Sequence, residues 1–325
     1  MNFESLKPSI DTASQSGRVA VLMGGTSAER DISLMSGNAV YQALINAGVD
    51  AFKLDLQDNA INQLQKLKAD RVFNILHGRG GEDGQLQAIM DSLGITYTGS
   101  DVCASALAMN KLLTKRVLLG SGLPTPEFQV LNSEQDCRRL LDELGLPVFV
   151  KPNLEGSSIG MTAVTQAEGL IPAWKKASQF GEVFAEKWIM GEEYTAGFLG
   201  QHILPLIKLE TPREFYDYEA KYFSDDTIYT CPCGLDEKTT SVINDLVAET
   251  IKVTGVQHWG RVDIMLDENS QPYIIEVNTV PGMTDHSLVP MAAKQAGLSM
   301  SELVLKILQL TFKGDKLTSV GDRHV

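Results

Sequence analysis

Two carboxylates and a carboxamide near the end of the chain, Asp263, Glu276 and Asn278, have the types and spacing to hold a metal-bound polyphosphate. Asp263 sits in the apolar run 261–266, and Glu276, in the run 272–277, stands two residues before Asn278. Alternate residues on a strand share one face. Asp267-Glu268-Asn269-Ser270-Gln271 between the runs reads as a hairpin-type turn that brings the two strands together. So few hard oxygen ligands suit magnesium, leaving coordination positions for waters and phosphate oxygens. The plain alternative is a pair of solvent-facing carboxylates on an edge hairpin. The apolar neighbours weigh against it, because two buried anions are costly without a cation.

Lys151 follows the apolar run 146–150, and Gly156-Ser157-Ser158-Ile159-Gly160 comes soon after, with flexible amides and two hydroxyls. A lysine beside a glycine loop is a phosphate-binding arrangement, although G-x-x-x-x-G-K-[ST] does not occur in the chain. The same five residues match G-x-S-x-G, the nucleophile elbow of serine hydrolases, with Ser158 at its centre. That motif needs a strand entering the serine and a helix leaving it. Here residues 153–155 intervene and 161–165 leave as a strand, so hydrolysis through Ser158 is a distant alternative. Glu186, Lys187 and Ile189 end a further strand before Gly191. This segment is either a plain linker or a hinge whose backbone and Glu186 meet an adenine edge, with Glu193 in reach of a ribose.

The elements that must position these groups alternate. The apolar run 18–23 ends in Gly24-Gly25-Thr26-Ser27, and helical spacing follows over 29–47. Strands at 51–54 and 71–76, a helix at 59–68, and the glycine loop 77–84 extend the pattern to a doubly wound parallel sheet. Helices are expected at 106–119, 134–144 and 167–180, with strands at 146–150, 161–165 and 183–187. Beyond, strands at 193–199, 202–209 and 228–229 read as antiparallel, and helices at 238–254, 288–296 and 300–312 complete the chain. The resulting division is a flexible extension at 1–17, a substrate-side α/β domain at 18–105, a central α+β domain at 106–190, a C-terminal domain with the metal site at 191–312, and a tail at 313–325.

Composition narrows the partners. With 28 Lys+Arg against 41 Asp+Glu, a net charge of −13 disfavours nucleic acid. A few lysines in one cleft still create a local positive potential for a small phosphate ligand. No apolar run approaches the ~18 residues that span a bilayer, and the polar N-terminus does not read as a secretory signal. Four cysteines fit reduced thiols in a cytoplasm, and Cys231-Pro232-Cys233 lacks the second Cys or His pair of a zinc knuckle.

Taken together, these segments resemble the D-alanine–D-alanine ligase family of the ATP-grasp superfamily. The resemblance rests on GGTSAER (24–30), LHGRGGEDG (76–84), YTGS (97–100), MNK (109–111), VKPNLEGSSIGM (150–161), EKWIMGEEYT (186–195), FYDYEAKY (215–222), WGRVDIML (259–266) and IIEVNTVPGMTDHSLVP (274–290). These blocks keep the family's order from about 18 to 312. The resemblance implies an ATP-grasp fold behind an N-terminal parallel-sheet domain, with ATP between the second and third domains. It implies ligation of two D-alanine molecules through a D-alanyl phosphate, in the cytoplasm, for cell-wall precursors, by a homodimer.

The resemblance also assigns residues. Lys111, Lys151 and Ser158 would meet ATP phosphates, Glu186, Lys187, Ile189 and Glu193 the adenosine, and Lys221 would also bind ATP. Asp263, Glu276 and Asn278 would bind two magnesium ions, or manganese. Arg261 and the Gly282 amide would stabilise the tetrahedral oxyanion. Glu29, with Ser157 and Tyr222, would receive the first substrate's ammonium, and His77 would lie near its carboxylate. Lys221, Ser287 and the Leu288 amide would hold the second carboxylate. Tyr222 within EAKY favours the dipeptide over a D-lactate (depsipeptide) product. Asp285, where the family often has a small residue, departs from the pattern.

Overall fold

The computed structural model describes residues 3–57, 59–211 and 227–312. Lys221, Tyr222 and the 313–325 tail lie outside the described residues. After the short helix α1 (Thr12–Gln15), strands β1 (Val19–Gly24), β2 (Ala51–Leu56), β3 (Arg71–Asn74) and β4 (Thr96–Tyr97) form a parallel sheet in the order β2-β1-β3-β4. Helices α2 (Arg30–Asn46), α3 (Ala60–Gln65) and α4 (Gln85–Ser92) connect them. The period of two in β1 sorts its side chains. Val19, Val21 and Met23 pack with α2, whereas Ala20 and Leu22 pack with Leu64 of α3 and with Leu86 and Met90 of α4. Both faces are therefore covered, which is the doubly wound arrangement expected from the alternation.

A second sheet is antiparallel. Helices α5 (Val102–Met109) and α6 (Lys111–Gly120) precede β5 (Phe128–Val130), α7 (Glu134–Glu143), β6 (Val148–Pro152), β7 (Thr162–Val164), α8 (Leu170–Ala177) and β8 (Val183–Lys187). The strand order is β5-β8-β6-β7. The single helix expected over 106–119 is two helices, because Asn110 takes an extended ψ of 95° and its side chain caps α6 by accepting from the Leu113 amide.

The third sheet holds β9 (Gly191–Leu199), β10 (His202–Ile203), β11 (Ile207–Glu210) and β12 (Ile228–Thr230), then, past α9 (Glu237–Thr254), β13 (Trp259–Asp267) and β14 (Pro272–Asn278). Its order is β12-β11-β9-β13-β14, with β10 on β9. The strand expected over 202–209 breaks at Leu204-Pro205-Leu206, where proline has no N–H for a ladder. Helices α10 (Leu288–Gln295) and α11 (Met300–Gln309) follow. They do not pack on the third sheet alone. One core cluster joins Leu288, Val289, Leu303 and Ile307 to Val21, Val40, Leu44, Phe73 and Ile75 of the first sheet layer.

The N-terminal segment corrects an expectation. Residues 3–17 are not a loose extension: Leu6 is 0% exposed within that shared cluster, Thr12 and Ser16 are buried, and α1 lies against α11. We expect Leu6→Ala to cost about 2–4 kcal/mol of stability through the cavity it leaves. Urea unfolding checks this, and an unshifted midpoint would mean the segment does not stabilise the core.

His258 marks the seam between the first and third layers. It sits at φ 59° and its Nδ1 accepts from the Gly99 amide at 3.1 Å. Burial lowers its pKa from 6.5 to about 4. The folded state therefore resists protonation, so this contribution to stability is complete above pH 6.5 and is lost as pH falls towards 4. The expected loss across that window is about 2–3 kcal/mol. His258→Asn, which tolerates the left-handed backbone and keeps an acceptor, should flatten that part of the stability-versus-pH curve.

Candidate active site

A cleft of about 490 Å³ opens between the second and third sheets, within the size range of small-molecule sites. Lys151 of β6 and Glu186 and Lys187 of β8 line one side; Glu193 of β9, Asp263 of β13 and Glu276 of β14 line the other. Lys111, Ser157, Ser158 and Ile189 also face it. The strand ends and the glycine loop thus bring together ten of the residues singled out from the sequence.

The charges in this cleft are paired. Lys151 donates to Glu186 Oε1, and Lys115 of α6 stands 2.6 Å from Glu186 Oε2. Burial works to raise the Glu186 carboxyl, but the Lys115 and Lys151 ammonium groups outweigh it and hold the group below the usual carboxylate range. The Glu186 carboxylate is thus committed to two lysines rather than presented to a base. Lys187 likewise directs its ammonium to the Leu144 and Leu146 carbonyls, at 3.1 and 3.3 Å. Lys111 donates to the Glu155 carbonyl at 2.8 Å and lies 3.3 Å from Glu276.

The hairpin has the expected turn, with the Asp267 carboxylate accepting from the Asn269 and Gln271 amides. In its register Asp263 opposes Glu276 and Arg261 opposes Asn278, with an irregularity after Asp263. Like charges facing each other across two strands repel. Here Asp263 accepts from Arg261 Nε and Nη2, both at 2.7 Å, from the Thr195 hydroxyl at 2.7 Å and from Asn278 Nδ2 at 3.0 Å. With Lys111 beside Glu276, the two carboxylates have cationic neighbours, as their apolar strands require.

A second cavity of about 340 Å³ lies beside the first, between Thr26–Glu29, Gly78–Arg79 and the 155–159 loop. Glu29 immediately precedes α2, whose start is fixed by Arg30 on Asp55 at 2.6 and 2.8 Å and by Ser33, which donates to the Ile75 carbonyl at 2.7 Å. The Ser157 hydroxyl donates to Glu29 Oε1, tying the glycine loop to the first sheet layer. The approach is close enough that a Cβ on Gly156 would come within 3.0 Å of the Glu29 carboxylate. Arg79 adds a second tie, 2.8 Å from Glu155. Ser157 and Ser158 have φ of 49° and 60°, in the left-handed region. Chain leaving Ser158 enters β7, a strand and not the helix of a nucleophile elbow, so the hydrolase geometry is not formed.

His77 is 5% exposed, and both ring nitrogens are engaged: Nδ1 with the Val280 carbonyl at 2.8 Å and Nε2 with the Ser36 hydroxyl at 3.3 Å. Ser36 also accepts from the Met283 amide at 3.1 Å, so His77 braces the 280–284 segment. In that segment a Cβ on Gly282 would lie 2.8 Å from Ser287 Oγ. The Ser287 hydroxyl accepts from the Thr284 amide at 2.9 Å and makes no cap bond to α10, which begins at Leu288. Burial raises the Cys231 thiol to about 11, so it stays protonated at neutral pH.

Lys115, Thr195, Arg79 and Ser36 were not anticipated from the sequence. Lys115 had one readable signal: it lies four residues after Lys111, on the same helix face. The partners of the others are too far away in sequence for local pattern to find.

Two family models match the chain, "D-ala D-ala ligase C-terminus" over residues 117–309 and "D-ala D-ala ligase N-terminus" over residues 54–100. The D-alanine–D-alanine ligase of Methylococcus capsulatus is 54% identical over 304 residues, covering 93% of this chain and 98% of that protein. The crystal structure of D-alanine–D-alanine ligase from Bacillus anthracis aligns with a TM-score of 0.81 at 34% identity, over 90% of this chain and 97% of that one. A structure of that organism's ligase complexed with ATP aligns with a TM-score of 0.78 at 33% identity, over 90% and 96% of the two chains.

Proposed function

The chain belongs to the D-alanine–D-alanine ligase family, and on that premise we propose that its two adjoining cavities carry the two halves of ATP-dependent D-alanyl-D-alanine synthesis. The observation that carries this reading is the shared loop. Glu155, Gly156 and Ile159 line both cavities, with Lys111 and Lys151 on one side and Glu29 on the other. A carboxylate seated at that junction is positioned to attack the terminal phosphate of a nucleotide in the larger cleft. The P–O bond to ADP breaks as the acyl phosphate forms; the amine of a second D-alanine then adds to the carbonyl, and phosphate leaves.

Lys111, Lys151 and Ser158 hold the phosphates in this reading, each lysine exchanging a protein anion for a phosphate oxygen. Ile189, Glu193 and the backbone at Glu186 and Lys187 hold the adenosine. Glu29, oriented by Ser157, takes the first ammonium, with Tyr222 as its third member. Arg261 and the Gly282 amide stabilise the oxyanion. Lys221, Ser287 and the Leu288 amide take the second carboxylate, and His77 acts near the first carboxylate by bracing the 280–284 segment.

Asp263, Glu276 and Asn278 fit magnesium or manganese as a donor set. The two carboxylates are adjacent, and Asn278 presents its oxygen once the amide is turned over. Two such ions, when bound, would neutralise phosphate charge. We assign the working unit as a cytoplasmic homodimer on the family resemblance; no helix among the described residues is long and apolar enough to cross a membrane. The deciding assay is phosphate release from ATP on addition of D-alanine. Release without D-alanine, or none with it, overturns the reading, and ester product from D-alanine plus D-lactate at neutral pH would favour the depsipeptide activity.

A further inference from the structure

Lys115 is 1% exposed and carries a charge that the reaction described above does not use. Its ammonium reaches Glu186 Oε2 at 2.6 Å and the Thr125 hydroxyl at 2.8 Å, and Thr125 in turn donates to the Ile274 carbonyl at 2.8 Å. The other Glu186 oxygen takes Lys151, which faces the cleft. One carboxylate thus serves two lysines; burial pulls the Lys115 pKa down while Glu186 opposes that pull, and with both lysines protonated the cluster bears one excess positive charge. Without Lys115, Glu186 and Lys151 would form a neutral pair in a largely dry setting, and Lys151 would be held to its partner.

We propose that Lys115 is a positioning residue for the phosphate grip: by occupying one oxygen of Glu186 from the buried side, it leaves Lys151 exchangeable, so that the Lys151 ammonium passes to an anionic group entering the cleft. The proposal rests on the reading of the cleft as a nucleotide site. Lys115 touches neither base nor phosphate in this scheme; it acts through Glu186 on Lys151. The consequence is selective. Loss of the Lys115 charge weakens ligands that bear phosphates and spares those that do not.

Isothermal titration of the full chain with ADP and with adenosine separates the cases. For Lys115→Met the expected result is an ADP Kd raised about tenfold with adenosine changed less than about twofold, the size of losing one charge-assisted contact. Lys115→Gln removes the charge while retaining an amide for Glu186 and Thr125, and carries the test if the methionine variant does not fold. In K115M/E186Q, where Lys151 has no carboxylate to hold it, the ratio of ADP to adenosine affinity should return to that of the parent chain. An equal loss of both ligands, an unchanged ADP Kd, or a double variant that stays impaired overturns the proposal. If the parent chain binds neither ADP nor adenosine, the nucleotide reading itself fails, which is a different result.

Discussion

Replacing Glu186 with glutamine should lower the stability of the folded chain by about 3–5 kcal/mol, because one change strands two ammonium groups, one of them fully buried. Lys115 has nowhere to move: its ammonium is held between Glu186 and Thr125. Burial pulls the Lys115 pKa down and Glu186 opposes that pull, so without Glu186 the neutral amine is favoured in the fold. The sign of the pH effect follows. A depressed folded-state pKa means that protonation favours the unfolded chain, so the deficit of the variant is greatest from about pH 5 to neutral and shrinks as pH rises towards 10.5. In the parent chain, Glu186 has a folded pKa below 4.5, and its contribution is lost as pH falls through that value. Denaturant unfolding of both chains at about pH 7 and pH 9.5 checks the first statement, and of the parent between about pH 5 and pH 3 the second. A variant within about 1 kcal/mol of the parent at pH 7 would show that the cluster is not the buried network described.

Asp263→Asn should reduce D-alanine-dependent phosphate release by about 100–1,000-fold while leaving the chain folded, on the scale of losing a preorganised electrostatic element. The substitution keeps the size and the contact with Thr195 but removes the charge that Arg261 grips through two nitrogens. It also removes a hard ligand from the set with Glu276 and Asn278. Two losses then coincide, a less firmly aimed guanidinium and weaker neutralisation of phosphate charge. Steady-state phosphate release at saturating ATP, with magnesium varied, is the measurement. A rate within about threefold of the parent at all magnesium levels would remove Asp263 from the reaction centre.

How much of this was readable depends on the range of the interaction. The hairpin was legible because a strand's period of two and a five-residue turn are local, and they bring Asp263, Glu276 and Asn278 to adjacent strands; the irregularity after Asp263 that sets it opposite Glu276 was not legible. The glycine loop was legible for the same reason. Its attachment was not: Ser157 meets Glu29 from 128 positions away, and nothing in either segment encodes that meeting except the resemblance. Lys115 was hidden because a buried lysine looks, in sequence, like any exposed one; only its spacing from Lys111 set it apart. The break at Asn110 and the three-residue β5 were missed because a cap and a short, half-buried strand give weak periodic signals.

The core that joins β1 and β3 to α10 and α11 has a consequence for how the chain is made. Phe73 and Ile75 are completed by Leu288, Val289 and Ile307, which leave the ribosome more than 200 residues later. At about 5–20 residues per second, the part of that face that α2 does not cover stays open for roughly 10–40 s. Nascent chains halted before α10 should therefore expose an apolar surface that finished chains never show, and chaperone capture during synthesis should end when α11 emerges.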